Sequence, residues 1–167
     1  MKHRFSWGSL FLIACAAIFF IAHTTEQLPM VLASHFDASG FPTAFMLRAR
    51  YFHFMMWLGI GAPLALVVLL TVVYSRATDM KLPNRDYWLA AERIGETRDI
   101  LVAHGIWFGS LLICMVCFVH WLQLKANGSL PAHLPNDLVY AGLGIFFLIT
   151  AGWIAALLLA FRRPKGA

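Results

Sequence analysis

The sequence predicts an all-α integral membrane protein, a four-helix bundle with a structured extracytoplasmic loop and a short cytoplasmic interfacial helix. Of its 167 residues, 60% are apolar and only 13% are charged, and the mean hydropathy is +0.72. Soluble domains carry about 25% charged residues, so lipid is the natural solvent for this chain. Four stretches without Asp, Glu, Lys or Arg reach the length of about 20 residues that a membrane crossing needs. We therefore expect one membrane domain over residues 1–167, with spans at about 5–23, 51–75, 100–124 and 138–161.

Lysine and arginine residues are distributed unequally among the segments that join these spans. Ten of the thirteen lie in the two tails and in the 76–99 loop, and three lie in the other two connections. By the positive-inside rule, both tails and the 76–99 loop are cytoplasmic, and the 24–50 loop faces outward. The net charge of +5 is thus a sign of topology, and the bilayer, not a nucleic acid, is the expected partner.

The first span begins like a signal peptide, with Lys2 and Arg4 ahead of an apolar run that contains Cys15. A processed leader is normally followed by a polar segment, whereas the residues after Cys15 remain apolar. We expect the segment to stay as a membrane anchor, with cleavage at Cys15 as the alternative.

The outer loop at 24–50 carries an ordered polar pattern between two prolines. Its Asp37-Ala38-Ser39-Gly40 string is typical of a turn in which Asp bonds backbone amides and Gly takes positive φ. His35 and Asp37 share a face of an extended chain, so they either bind a ligand, metal or proton or shape the loop. This motif is the first candidate site and comprises His35, Phe36, Asp37, Gly40 and Pro42.

The second span contains Pro63, which lacks a backbone N–H. A kink is expected in the turn before it, facing other helices because the freed carbonyl needs a partner in lipid.

The cytoplasmic loop at 76–99 is the second place with an informative pattern. Pro83 interrupts helix, Asn84 is a predicted N-cap, and Tyr87 and Trp88 suit the membrane interface. We predict a short helix that lies against the inner surface, with a docking site for a cytoplasmic partner as the alternative. This second motif comprises Pro83, Asn84, Tyr87, Trp88, Glu92 and Arg93.

The last two spans carry small residues whose expected role is packing. Cys114 and Cys117 spell CxxC, but a redox pair belongs at an accessible helix start and not in mid-span. Small residues of the fourth span form a stripe that favours close helix contact. The stripe comprises Gly144, Ala151 and Ala155, with Gly152 beside it.

Two stretches also carry a family resemblance. Leu28-Pro29 with His35-Phe36-Asp37-Ala38-Ser39-Gly40-Phe41-Pro42 resembles the hallmark of a bacterial membrane module of unknown function. That module also forms the amino-terminal part of SdpI-type immunity proteins, which protect a cell against a secreted peptide toxin. The Pro83–Arg93 stretch is similar to a motif of a short, four-helix branch of the same group. The resemblance implies a bacterial inner-membrane location.

The predicted topology gathers five of the seven histidines at the outer face. His23, His53 and His120 lie near outer span ends, and His35 and His133 lie in outer loops. Imidazole, thioether and carboxylate groups are ligands of copper and zinc, and ionisable groups at membrane depth are functional candidates. One hypothesis is a transition-metal site built from His23, His35, His53 and His120; another is a pH-responsive cluster. Ordinary interfacial histidines are the alternative, and no cofactor is predicted outright.

Three functions are open at this point. The chain lacks a Ser-His-Asp order, a phosphate-binding loop and paired membrane carboxylates, which favours a non-enzymatic protein. The first expectation is a small membrane protein that senses, binds or protects at the outer face. The second is an accessory subunit or assembly factor, with a membrane-protein partner or a second copy on the small-residue stripe. The third is a metal-binding or redox protein that uses the outer histidines.

Overall fold

The computed structural model describes residues 2–76 and 78–162, with side chains from residue 5 onward. The chain is mostly helical and adds one small two-stranded sheet. Its elements in chain order are α1 (Lys2–Thr25), β1 (Val31–Phe36), β2 (Pro42–Leu47), α2 (Arg48–Met56), a π-helical segment (Trp57–Gly61), α3 (Ala62–Arg76), α4 (Arg85–Trp88), α5 (Ile94–Asn127) and α6 (Asn136–Ala160).

Four helical stretches are long and apolar enough to cross a membrane, which confirms the predicted number of apolar helices. The stretches are Phe5–Thr25, Arg48–Arg76, Ile94–Asn127 and Asn136–Ala160. The second begins at Arg48, before the predicted 51, and the third begins at Ile94, before the predicted 100. Both helices therefore extend into polar sequence beyond their apolar runs.

The prediction of an all-α fold is wrong for the 24–50 connection, which forms an antiparallel hairpin of β1 and β2. Val31 pairs with Leu47 and Phe36 with Pro42, and register shifts fall on both sides of His35. Pro29 and Pro42 disfavour helix in the residues before them, and Gly40 takes a φ of +84° at the turn. The turn chemistry was visible in the sequence, whereas strand pairing was not.

The main apolar core lies between α1, α3 and α5. Small residues on α1, Ala14 and Ala17, are buried against it. Gly109 of α5 lies so close to α3 that an added Cβ would collide with the Val67 side chain. Large apolar side chains fill the remainder of this core, among them Leu10, Ile60, Val67, Val102, Ile106 and Ile113.

The turn before Pro63, where a kink is expected, is π-helical. The N–H of Ala62 donates to the carbonyl of Trp57, five residues earlier, so the helix is locally wider there. Pro63 follows directly and is buried, as expected of a backbone irregularity that faces other helices.

Helix α6 lies at the periphery and has no buried residue. It contacts α5 through Trp153, whose indole N–H donates to the His104 carbonyl at 3.2 Å and whose ring stacks on Phe108 at 4.8 Å. Gly142 also lies against the Phe118 ring. The predicted packing role of the small-residue stripe is not met within the described chain, because Gly144 and Gly152 have open space beside them and Ala151 and Ala155 are exposed.

Candidate functional site at the hairpin end

The two connections predicted to share a face do meet at one end of the molecule. We call this the hairpin end, meaning residues 26–50 and 128–136. Leu134 N–H donates to the Gly40 carbonyl at 2.9 Å, so the turn between β1 and β2 touches the connection between α5 and α6. The other end carries α4 and the end of α6.

Asp37 builds the hairpin turn. Its Oδ1 accepts hydrogen bonds from the backbone N–H of Ser39 at 2.8 Å and of Phe41 at 2.9 Å. Its own N–H donates to the Phe41 carbonyl, and its carbonyl accepts from Gly40 N–H. The carboxylate is therefore engaged in shaping the loop, which is the second of the two roles considered for it.

The turn is fastened to the α5–α6 connection by side chains as well as by backbone. His133 Nε2 donates to the Ser39 carbonyl at 3.1 Å, and its ring meets Phe41 edge-on at 5.2 Å. Asn136, the first residue of α6, donates from its amide to the Ala38 carbonyl at 2.8 Å. Three consecutive carbonyls of the turn, those of residues 38, 39 and 40, thus receive hydrogen bonds from residues 133–136.

Gly40 cannot be replaced without damage to this junction. Its φ of +84° is unfavourable for any residue with a Cβ, and that atom would lie 2.6 Å from the Leu134 carbonyl oxygen. We expect Gly40→Ala to lower the unfolding free energy by about 2 kcal/mol or more, since left-handed backbone alone costs about 1–2 kcal/mol. Unfolding of the purified variant in detergent measures this. Ser39→Ala, at an exposed neighbour, serves as the control, and equal stability of the two variants would contradict the expectation.

Asn127, at the end of α5, holds the base of the hairpin. Its Oδ1 accepts from Ala33 N–H at 2.8 Å, and its Nδ2 donates to the Ala33 carbonyl at 3.0 Å. Ala33 is 1% exposed, so these backbone groups have little access to water. Gln123, one turn earlier, donates to the Ser34 carbonyl at 3.3 Å. The Asn127 side chain thus makes the two hydrogen bonds to Ala33 that the backbone of a neighbouring strand would make.

The hairpin has one buried face and one largely exposed face, although Ala33, which pairs with Phe45 on the second face, is itself buried. Leu32 is fully buried and belongs to a cluster with Ile21, Leu28, Tyr51 and Met55. The opposite face carries Val31, Phe45 and Leu47, which alternation and strand pairing place on one side. These three side chains are 56%, 61% and 57% exposed. We call them the exposed hairpin face.

A buried polar chain lies directly beneath the hairpin. His120 of α5 is 0% exposed, and its Nδ1 is 2.8 Å from the Tyr51 hydroxyl of α2. Its Nε2 is 2.8 Å from the Thr24 hydroxyl of α1, which in turn donates to the Phe20 carbonyl at 2.6 Å. The Tyr51 ring also stacks on the imidazole at 5.7 Å. One imidazole therefore connects three helices.

The direction of this chain follows from its last member. Because the Thr24 hydroxyl donates to Phe20, it accepts from His120 Nε2–H, and the unprotonated Nδ1 then accepts from Tyr51. A neutral imidazole satisfies all of these hydrogen bonds at once. The arrangement can hold three helices in register, and it leaves no free nitrogen on His120.

The structure does not assemble the hypothesised metal site of His23, His35, His53 and His120. In the described residues, no group of three or more His, Cys, Asp or Glu side chains could hold a metal ion. The four rings contact different neighbours and do not converge on one point. His120 is hydrogen-bonded at both nitrogens, His53 Nδ1 bonds the Ala49 carbonyl at 2.7 Å, His35 Nδ1 lies 3.1 Å from the Ser34 hydroxyl, and His23 stacks on Phe19.

Residues of the second motif bind the end of α6 by hydrogen bonds. The indole N–H of Trp88 donates to the Phe161 carbonyl at 2.9 Å, and the Asn84 amide donates to the same oxygen at 3.0 Å. Trp88 and Phe161 are both buried, with rings in edge contact at 5.5 Å. Arg93 lies over the Tyr87 ring at 4.0 Å, while Pro83 and Glu92 are exposed.

Asn84 occupies the predicted N-cap position of α4, but its side chain does not cap that helix. The residue precedes α4 but has a left-handed φ of 52° and makes no side-chain capping bond. Its amide instead binds a carbonyl at the end of α6, because that helix end leaves carbonyl oxygens without intrahelical partners. The predicted short helix is present but brief, at Arg85–Trp88.

Sequence reasoning missed most of the residues that hold the hairpin end together. Asn127 and Asn136 flank span ends and look like ordinary polar boundaries, and Thr24 and Tyr51 look like interfacial residues. One sequence pattern could have indicated them. Gln123 and Asn127 are four residues apart, so both amides lie on one face of α5 near its end, next to the loops.

Comparison of the chain with protein-family models, with curated proteins and with solved structures gives no match in any of the three cases.

Proposed function

We propose that this protein is a non-enzymatic, four-span integral membrane protein that binds an amphipathic polypeptide segment on its exposed hairpin face. The observation that carries the proposal is a rigidly fastened hairpin whose outward side is apolar. Four apolar helices and an excess of basic residues at the opposite end support a bilayer setting, with both tails in the cytoplasm of a bacterial cell.

Rigidity is the first argument. An isolated two-stranded hairpin is only marginally stable in water. Here the base is bonded by Asn127, and the tip is bonded by His133, Leu134 and Asn136. A surface ordered in advance loses less conformational entropy on binding, which favours affinity.

The chemistry of the face is the second argument. Phe45 and Leu47 expose more than half of their surface, and so does Val31, the cross-strand partner of Leu47. Arg50 lies exposed three residues after Leu47, whereas Arg48 is engaged with backbone carbonyls. An apolar face beside a cation complements a polypeptide segment that has apolar side chains flanked by acidic ones.

The resemblance to the SdpI-type group supports the same class of partner. Those proteins protect against a secreted peptide, and in this chain the motif residues Asp37 and Gly40 build the turn that presents the hairpin. The motif would then supply the geometry of a binding surface, and the exposed face would supply its specificity.

The experiment selects a random peptide library against the full chain in lipid nanodiscs and titrates the enriched peptides onto spheroplasts from outside. We expect acidic-flanked apolar peptides, and a loss of about tenfold or more in affinity for a Phe45→Ser, Leu47→Ser double variant. Leu130→Ser is the matched control, because Leu130 is 100% exposed at the same end but lies off the hairpin.

Equal binding to the double variant and to wild type would overturn the proposal. Enrichment of peptides that bind empty nanodiscs equally well would also overturn it, because the occupant would then be a lipid surface. Binding only to inside-out vesicles would contradict the proposed sidedness.

A further inference from the structure

A groove lined by both charged and apolar side chains lies between the end of α1 and the start of α2, beside the hairpin. It has a volume of about 310 Å³. Its polar lining includes Glu26, Arg48 and His53, and its apolar lining includes Ala22, Ala49 and Phe52. The hydrogen bonds that Asn127, His133 and Asn136 make to the hairpin, and those of His120, lie outside this groove.

Arg48 enters the groove in a fixed orientation. Its Nη1 donates to the carbonyls of Glu26 and Leu28, at 2.9 Å each, which ties the end of α1 to the start of α2. Nη1 carries only two hydrogens, so both are used. The other edge of the guanidinium has no hydrogen-bond partner among the described residues and is free to meet an oxyanion, for which its planar fork is suited.

His53 is held by a backbone contact that fixes the proton position on one ring nitrogen. Its Nδ1 lies 2.7 Å from the Ala49 carbonyl, which can only accept, so Nδ1 carries the proton. In the neutral ring, Nε2 is then an acceptor on the side of the ring away from the helix backbone.

Glu26 and Arg48 line one groove without forming an ion pair with each other. Among the described residues, no oxygen of the Glu26 carboxylate lies within ion-pairing distance of an arginine or lysine nitrogen. Two opposite charges held apart in one groove match a ligand that itself carries both charges a short distance apart.

The position of the groove identifies the kind of ligand. It lies where the two apolar helices Phe5–Thr25 and Arg48–Arg76 reach polar sequence, the level of lipid headgroups in the proposed bilayer. Trp57 follows His53 by one helical turn, which places it next to the groove, and it is 77% exposed. Apolar surface below a charged groove fits acyl chains below a headgroup.

We infer that this groove binds the headgroup of a phosphatidylethanolamine-type lipid, with Arg48 on the phosphate and with Glu26 and His53 on the ammonium group. The ammonium of this headgroup has N–H donors for both acceptors, whereas the quaternary ammonium of phosphatidylcholine has none. Phosphatidylglycerol offers the phosphate but no cation for Glu26. The site rests on the proposed membrane setting and not on the peptide proposed for the hairpin.

The test uses delipidated full-length protein in a non-ionic detergent, titrated with dilauroyl forms of the three lipids and followed by native mass spectrometry. We expect phosphatidylethanolamine to bind about tenfold more tightly than the other two. Glu26→Gln should remove that preference and leave the binding of phosphatidylglycerol unchanged, because Arg48 is anchored on the backbone carbonyl of residue 26 and not on its side chain. His53→Leu should reduce the preference in part.

Asp137→Asn is the matched control, since Asp137 is an exposed carboxylate at the same end but outside the groove. It should behave as wild type. Equal binding of the three lipids by wild type, or an undiminished preference in Glu26→Gln, would overturn the inference. Displacement of the lipid by soluble glycerophosphoethanolamine at matched concentration would also overturn it, because the ligand would then be a free headgroup. Peptide binding read through Phe45 and Leu47 is a separate measurement and can fail independently.

Discussion

Replacing Asn127 with alanine is expected to detach the base of the hairpin and to lower the unfolding free energy by about 2–4 kcal/mol. The substitution leaves the N–H and carbonyl of Ala33 without their side-chain partners. Each buried backbone group that loses its partner costs about 1–3 kcal/mol, and water reaching the gap recovers part of that. Unfolding in mixed micelles measures the change, and hydrogen exchange at the Ala33 amide locates it.

Gln123→Ala is the control for this experiment. Gln123 lies one turn earlier on α5 and bonds the same strand through one 3.3 Å contact to a half-buried carbonyl, and its side-chain oxygen accepts a long hydrogen bond from Asn127 Nδ2 at 3.4 Å. We expect a loss of about 1 kcal/mol or less, the value of an ordinary hydrogen bond. If hydrogen exchange at the Ala33 amide were as slow in Asn127→Ala as in wild type, the Asn127 side chain would not be what holds the hairpin in place.

The second large effect is expected at His120. His120→Ala should lower the unfolding free energy by about 3–5 kcal/mol, the range seen when a large buried ring is truncated. Tyr51→Phe or Thr24→Val alone should each cost about 1–3 kcal/mol, because each leaves one polar atom of the buried chain without a partner.

A combined variant separates hydrogen bonding from packing at this position. With Tyr51→Phe, Thr24→Val and His120→Leu together, no donor or acceptor side chain of the network remains. We expect the triple variant to lose less unfolding free energy than the three single variants lose in sum. Removing the whole network leaves fewer polar groups without a partner. Additive losses would show that packing alone matters. Tyr140→Phe, at a tyrosine that is 68% exposed on α6, should change nothing.

The regions changed by the Asn127 and His120 substitutions meet in one buried cluster. Leu32 of the hairpin and Tyr51 of α2 belong to the same buried group, and Tyr51 donates to His120. The hairpin and the His120 hydrogen bonds therefore share one packed cluster among α1, α2 and α5.

Much of the helical organisation was predictable from sequence, for a simple reason. An uninterrupted apolar run of the length needed to cross a bilayer can satisfy its backbone only as a helix or in a closed barrel, so Phe5–Thr25 and Asn136–Ala160 followed from composition and length. The π-helical segment before Pro63 was predictable as a kink, because proline removes a specific backbone donor.

The polar contacts were much less predictable. His23, His53 and His120 were expected to converge because of their depth along the spans, but depth does not specify the direction in which a side chain points around a helix. His120 points into the core and His23 is exposed, so the supposed metal ligands do not meet. Asn84 is the N-cap residue of α4 as expected, but its side chain binds the end of α6, since a long-range acceptor cannot be seen in the local sequence.

The amino-acid sequence by itself determined the number of apolar helices, the turn at Asp37–Gly40 and the irregularity at Pro63, because each depends on residues that are adjacent in the chain. Only the tertiary structure decided that β1 and β2 pair, that Asn127 fastens them and that His120 joins three helices. Those contacts depend on how the helices rotate and pack, which is set by close approaches such as that of Gly109 to Val67, between residues far apart in sequence.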